Sequence, residues 1–165
     1  MFSRARIFGH PIHPMIIPLP IGSFVLGLLS LIVFAFTADF FWLQASYWLS
    51  IAGVVGGLLA AVAGLVDWAT IPRDVAAKPI ATWHGVLNGS IVVLFFVSWL
   101  LLGGFTGPVA GNVTPPLILQ ALGVIWLGVS GWLGWEMVYR HHVGVEPVSN
   151  QERRIVEEEE HRRAA

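Results

Sequence analysis

The chain has 165 residues, 56% of them hydrophobic and only 12% charged, with a mean hydropathy of +0.74; these values exclude a soluble globular domain and call for an integral membrane protein. The formal net charge is −1 and there is no cysteine, which argues against a nucleic-acid partner and excludes disulfides and thiolate metal sites. Charges are also segregated, with no Asp, Glu, Lys or Arg in residues 9–38, 40–66 or 79–135.

Arg4 and Arg6 open the chain, followed by Gly9-His10-Pro11-Ile12-His13-Pro14 and then Pro18 and Pro20. Proline has no N–H to donate and is tolerated mainly in the first turn of a helix, so regular helix is predicted to begin near Met15 or Pro18. Residues 1–14 then form an irregular or one-turn approach. Non-helical backbone at this depth must be covered by protein or water, so the approach is expected to fold over the cytoplasmic mouth of the bundle.

A hydrocarbon core of about 30 Å takes about 20 apolar residues of helix, and residues 15–36, 47–66, 83–102 and 117–138 satisfy this. The first run exceeds the 7–15 residues typical of a signal-peptide core, so it is expected to remain as a span. Between the spans lie a short loop with Asp39 and Trp42, a polar loop at 67–81, and a loop at 103–116 with the breakers Gly107-Pro108 and Pro115-Pro116. Short links make neighbours antiparallel. The fold class is therefore all-α: an integral membrane four-helix antiparallel bundle over residues 15–142, followed by a charged tail at 143–165. Glu157, Glu158, Glu159 and Glu160 precede His161-Arg162-Arg163, a pattern of a solvated helix or a disordered segment.

Cationic loops stay on the cytoplasmic side. Arg4 and Arg6, Arg73 and Lys78, and Arg140, Arg153, Arg154, Arg162 and Arg163 all fall on one side of the four spans. Both termini are thus expected in the cytoplasm of a bacterial inner membrane. Trp68, Trp83, Trp135 and Tyr139 mark the inner boundary, and Trp42 and Trp48 the outer one.

Ionisable residues at membrane depth are costly and point to function, and here they gather at the inner face. His10 and His13 precede span one, Asp67 closes span two, His84 and Asn88 open span three, and Glu136, His141 and His142 follow span four. Gly53, Gly57, Ala60, Gly64 and Asp67 share one helical stripe, and small residues let helices approach closely, so Asp67 is expected to face the bundle. His84 and Asn88 share a face at i and i+4, where the amide can orient the imidazole. Gly123, Ser130, Gly134 and His141 trace a second stripe, with Glu136 on another face beside Trp132. His13 to Asp67 and His84 to Glu136 are intervals of similar length, each opened by a histidine and closed by an acid, which suggests a tandem repeat with His13 and His84 facing across an axis along the membrane normal.

At Gly9-His10-Pro11-Ile12-His13-Pro14 with the following Pro18-Leu19-Pro20-Ile21-Gly22, and again at Gly64-Leu65-Val66-Asp67 and from His84 to Asn88, the chain resembles the bacterial four-span membrane proteins filed as domain of unknown function 2231. The resemblance covers roughly residues 6–142, and His10, Pro11, His13, Pro14, Asp67, His84 and Asn88 match its pattern. Glu136, His141 and the acidic tail lie outside it. It implies the four-span fold and no particular activity; relatives fused to Rieske-type iron–sulfur or cytochrome c domains imply a redox setting, although this chain has no cysteine with which to build an iron–sulfur site.

The leading expectation is a membrane electron-transfer module. Two imidazoles would ligate b-type haem, or three imidazoles and a carboxylate would hold a transition metal. His13 and His84 are the leading ligands, His10 a third or alternate one, Asp67 a ligand or acceptor, Asn88 an orienting residue, and His141 a further cofactor contact; Arg73, Lys78 and Arg140 lie on the side where propionates would sit. Expected partners are the lipid bilayer, redox proteins or quinone, and a second copy of the chain. The alternatives are a small proton or metal-ion permease and a structural anchor. The plainer roles are interfacial hydrogen bonding for His10 and His13, a bundle histidine satisfied by Asp67 or Asn88 for His84, a solvated loop acid for Asp67, and helix-end cations for His141 and His142. Hydrolysis ranks lower, because Ser90 is six residues from His84 and carries no nucleophile-elbow motif.

Overall fold

The structure, a computed structural model, describes residues 5–145 and 150–164. The approach is a short antiparallel hairpin, β1 Arg6–Ile7 and β2 His10–Pro11, with Ile7 opposite His10. Phe8 (φ 49°) and Gly9 (φ 83°) make its turn; positive φ at both central residues suits a tight hairpin, and Gly9 supplies the second without strain. The one-turn helix α1, Ile12–Ile16, follows, and Ile12 N–H donates to Ala5 O at 2.8 Å. Helix α2, Pro18–Thr37, begins where its proline is tolerated, in the first turn. The one-turn approach was legible in the prolines; the strand pairing depends on backbone contacts that composition does not signal.

Ala38, left-handed at φ 54°, ends α2, and the Asp39 carboxylate then accepts Phe41 N–H at 3.0 Å to cap α3, Phe40–Thr70. Helix α4 spans Ala77–Leu101, a 3-10 turn Gly104–Thr106 follows, α5 spans Thr114–Tyr139 and α6 spans Asn150–Ala164. Four stretches, Ile12–Thr37, Phe40–Thr70, Ala77–Leu101 and Thr114–Tyr139, are long and apolar enough to cross a membrane. The helices outrun the apolar segments that predicted them. At about 1.5 Å per residue, the 31 residues of α3 reach past a 30 Å core, because helical hydrogen bonding satisfies the backbone in the interface whatever the side chains. The expected polar loop at 67–81 thereby shrinks to residues 71–76.

In the bundle α2 packs on α3, α3 on α4, α4 on α5, and α5 closes back on α2. Helices α3 and α5 thus occupy opposite corners, as do α2 and α4. Polar side chains share the interior with apolar ones, and the exterior is apolar as well. Ser46, Ser50, Ser98, Gln120 and Ser130 are buried, whereas Leu58, Val62, Ile125, Val129 and Trp132 point outward, as lipid-exposed helices with small and polar interfaces do.

The two halves share residues at a fixed offset. Sliding α2 onto α4 by 71 positions superimposes His13 on His84 and Phe24 on Phe95; sliding α3 onto α5 by 70 superimposes Gly53 on Gly123, Ala60 on Ser130 and Gly64 on Gly134. The contacts repeat with the register. A Cβ placed on Gly53 would fall 2.4 Å from the Phe24 ring, and one on Gly123 would fall 2.7 Å from the Phe95 ring. The two rings meet, with centroids 4.2 Å apart. At the same offset the counterpart of Asp67 is Met137, and Glu136 pairs with Arg140 at 3.1 Å.

Toward the opposite end of the bundle from the N-terminal hairpin, Gln120 Nε2 lies 3.2, 3.1 and 3.0 Å from the hydroxyls of Ser46, Ser50 and Ser98, all fully buried. Two N–H groups serve these three oxygens. Ser50 and Gln120 are themselves equivalent positions. Leu31, Leu43, Tyr47, Trp99 and Leu102 form a buried apolar cluster beyond this layer, and the Tyr47 hydroxyl donates to Gly104 O.

Candidate functional site

At the end of the bundle that carries the N-terminal hairpin, two imidazoles come together. His13 reaches in from α1 and His84 from α4, with ring centroids 6.4 Å apart and planes at 78°. His13 Nδ1 lies 2.8 Å from Ala60 O on α3, and His84 Nδ1 lies 2.9 Å from Ser130 O on α5. A carbonyl only accepts, so Nδ1 carries the proton in both rings. In the neutral imidazole this leaves Nε2 as a bare lone pair. Neither Nε2 has a hydrogen-bond partner among the described residues.

Glycine makes the close seating possible. A Cβ on Gly64 would lie 3.1 Å from His13 Nδ1, and one on Gly134 would lie 3.3 Å from His84 Cε1. Each imidazole thus lays its Nδ1/Cε1 edge against a helix backbone, α3 for His13 and α5 for His84.

The second half carries an elaboration that the first lacks. Asn88 Nδ2 donates to His84 O at 2.8 Å and to Ser130 Oγ at 2.7 Å, and Ser130 Oγ lies 3.0 Å from His84 Nδ1. Asn88 was expected to orient the imidazole directly; it acts instead through the Ser130 hydroxyl. The equivalent positions, Ile17 and Ala60, have no polar side chain, so His84 is held at more points than His13.

Other expected members stand elsewhere. His10 is exposed on β2, with Nδ1 3.0 Å from Phe8 O in its own turn. Asp67, expected as a ligand or as the partner of His84, accepts Ala5 N–H at 3.2 Å and so pins the hairpin to the end of α3. His141 follows the end of α5 at Tyr139, so the stripe through Gly123, Ser130 and Gly134 stops before reaching it. Among the described residues, no group of three or more His, Asp or Glu side chains gathers to hold a metal ion. Of the expected site residues, His13 and His84 are neighbours, while His10, Asp67 and His141 lie apart from them.

Ala60 O, Ser130 O, Gly64 and Gly134 complete the site, and sequence patterning treated the last two as packing residues only. The available signal was the self-register of 70–71, which aligns the histidines with their glycine rests.

Neither a curated protein nor a solved structure matches the chain. A family model described as predicted membrane protein (DUF2231) matches residues 9–147, a stretch holding both imidazoles, both glycine rests and all four spans, and the chain belongs to that family.

Proposed function

We propose that the chain is an electron-transfer module of a bacterial inner membrane, with both termini in the cytoplasm, in which His13 and His84 bind a metal centre, b-type haem or a transition metal. The observation that carries this reading is the pair of imidazoles, drawn from α1 and α4 with ring centroids 6.4 Å apart, whose Nδ1 atoms are spent on backbone carbonyls and whose Nε2 atoms have no hydrogen-bond partner among the described residues. Fixing one nitrogen of a histidine by a carbonyl is how proteins orient a metal ligand and raise its basicity. When bound, such a centre supplies a one-electron couple at the inner face, within reach of a quinone or a redox protein. The chain's own contribution is to hold the two rings, to keep their tautomer, and to seal the centre from the outer half by the Phe24–Phe95 layer. That apolar layer also makes a permease the weaker alternative.

The test is the metal and haem content of detergent-purified protein. The wild type is expected to retain about one equivalent per chain, and His13→Ala and His84→Ala each to lose most of it. Equal content in all three proteins would overturn the proposal.

A further inference from the structure

The N-terminal segment lies along one stripe of α3. Taken backwards along the chain, a Cβ on Gly56 would fall 3.2 Å from Pro20 Cδ, and Ala60 O accepts from His13 Nδ1 at 2.8 Å. A Cβ on Gly64 would fall 3.1 Å from that same nitrogen, and the Asp67 carboxylate accepts Ala5 N–H at 3.2 Å. Positions 56, 60, 64 and 67 share a helical face. The hairpin and α1 thus rest on α3 as one piece, with Asp67 holding the far end.

His13 needs such a hold because its own helix is interrupted. Pro18 and Pro20 have no N–H, so Pro14 O and Ile16 O lack the i to i−4 bonds that would weld α1 to α2; Ile17 N–H to His13 O at 3.1 Å and Ile21 N–H to Ile17 O at 3.2 Å cross the junction. In the other half the positions 71 residues on are Gly85, Gly89 and Ile91, and α4 runs without a break from Ala77 through His84. This difference accounts for the unequal ends of the two halves: an acid stands at 67, where the interrupted helix has to be held, and its counterpart is Met137. The route from Asp67 to the imidazole is short. Asp67 holds Ala5 N–H, Ala5 O accepts Ile12 N–H at 2.8 Å, and Ile12 and His13 open α1.

We infer that Asp67 is a positioning residue for His13, acting through the hairpin, and that residues 5–16 form a strap hinged at Pro18 and Pro20. Releasing the Asp67 end of the strap loosens His13 from Ala60 O and leaves His84 seated on α5. The inference concerns how the chain places His13 and is independent of what the imidazole binds.

The experiment follows the ring Nδ1–H signals of His13 and His84 by nuclear magnetic resonance in the full chain, isotope-labelled at histidine, in detergent micelles. It reads their exchange with solvent beside the unfolding midpoint, with His13→Ala assigning the signals. Asp67→Ala is expected to speed exchange at His13 by about tenfold or more, the worth of a hydrogen bond to a carboxylate, and to leave His84 and the midpoint unchanged. Asp67→Asn, whose amide oxygen can still accept from Ala5, should lie closer to the wild type than to Asp67→Ala. Ile12→Pro cuts the same route without touching α3. Proline suits the first position of a helix, Pro11 is already extended at φ −62° and ψ 129°, as a residue before proline must be, and the change removes the N–H that reaches Ala5 O. It should repeat the selective effect on His13. Equal acceleration of both rings in Asp67→Ala would make Asp67 a general stabiliser of the bundle and overturn the proposal, as would wild-type exchange at His13 in either Asp67→Ala or Ile12→Pro.

Discussion

Alanine at Gly53 or Gly123 is expected to cost the bundle about 1 kcal/mol net. The new Cβ would fall 2.4 Å from Phe24 Cε1 or 2.7 Å from Phe95 Cε2, well inside van der Waals contact. Neither ring has room to give, since each is buried and they meet with centroids 4.2 Å apart. Overpacking of this kind costs roughly 1–3 kcal/mol, while replacing a mid-helix glycine by alanine returns up to about 1 kcal/mol of helix propensity. Unfolding in mixed micelles measures the balance. Trimming the obstacle should recover more than half of the loss, so Gly53→Ala with Phe24→Leu is expected to show a coupling energy between the two sites. An unchanged loss in that background would mean that the ring is not what the glycine accommodates.

Valine at Gly64 or Gly134 is expected to leave the bundle folded yet weaken retention of the proposed metal centre by roughly 10–100-fold, the range for disturbing residues that orient a ligand. The seating is less tight here than at the phenylalanines: the nearest imidazole atoms lie 3.1 Å from a Cβ on Gly64 and 3.3 Å from one on Gly134. A single Cβ asks the ring to move a few tenths of an ångström. The branched carbons of valine push it off its carbonyl. Retention of haem or metal at a matched unfolding midpoint separates this effect from general instability, and unchanged retention in both variants would show that the glycines serve packing alone.

Much of the fold was legible because the bilayer imposes a coarse rule. Twenty apolar residues make a span, and short links leave neighbouring spans antiparallel. Helix ends were less legible. α3 extends to Phe40 and Thr70, beyond its apolar run, because backbone hydrogen bonding and the Asp39 cap, not hydrophobicity, decide where a helix stops. At the site, His13 and His84 could be picked out as ionisable groups at the ends of apolar spans. Asp67 and His141 could not be told from them on that basis, because facing the bundle and reaching its axis are different conditions: Asp67 is engaged by Ala5, and α5 ends before His141. The carbonyls of Ala60 and Ser130 carry no side-chain signature, so only the coordinates reveal them as partners. Gln120 sits in an otherwise apolar run, where one amide gives no hint that three serines from two other helices converge on it.

The absence of cysteine from the chain makes the central claim directly measurable. In His13→Cys with His84→Cys, a short bis-thiol reagent is predicted to join the two introduced thiols within one chain in high yield, while His84→Cys with His141→Cys in the same membranes should give little product. Comparable yields for both pairs, or no link between positions 13 and 84, would contradict the convergence of the two imidazoles on the bundle axis.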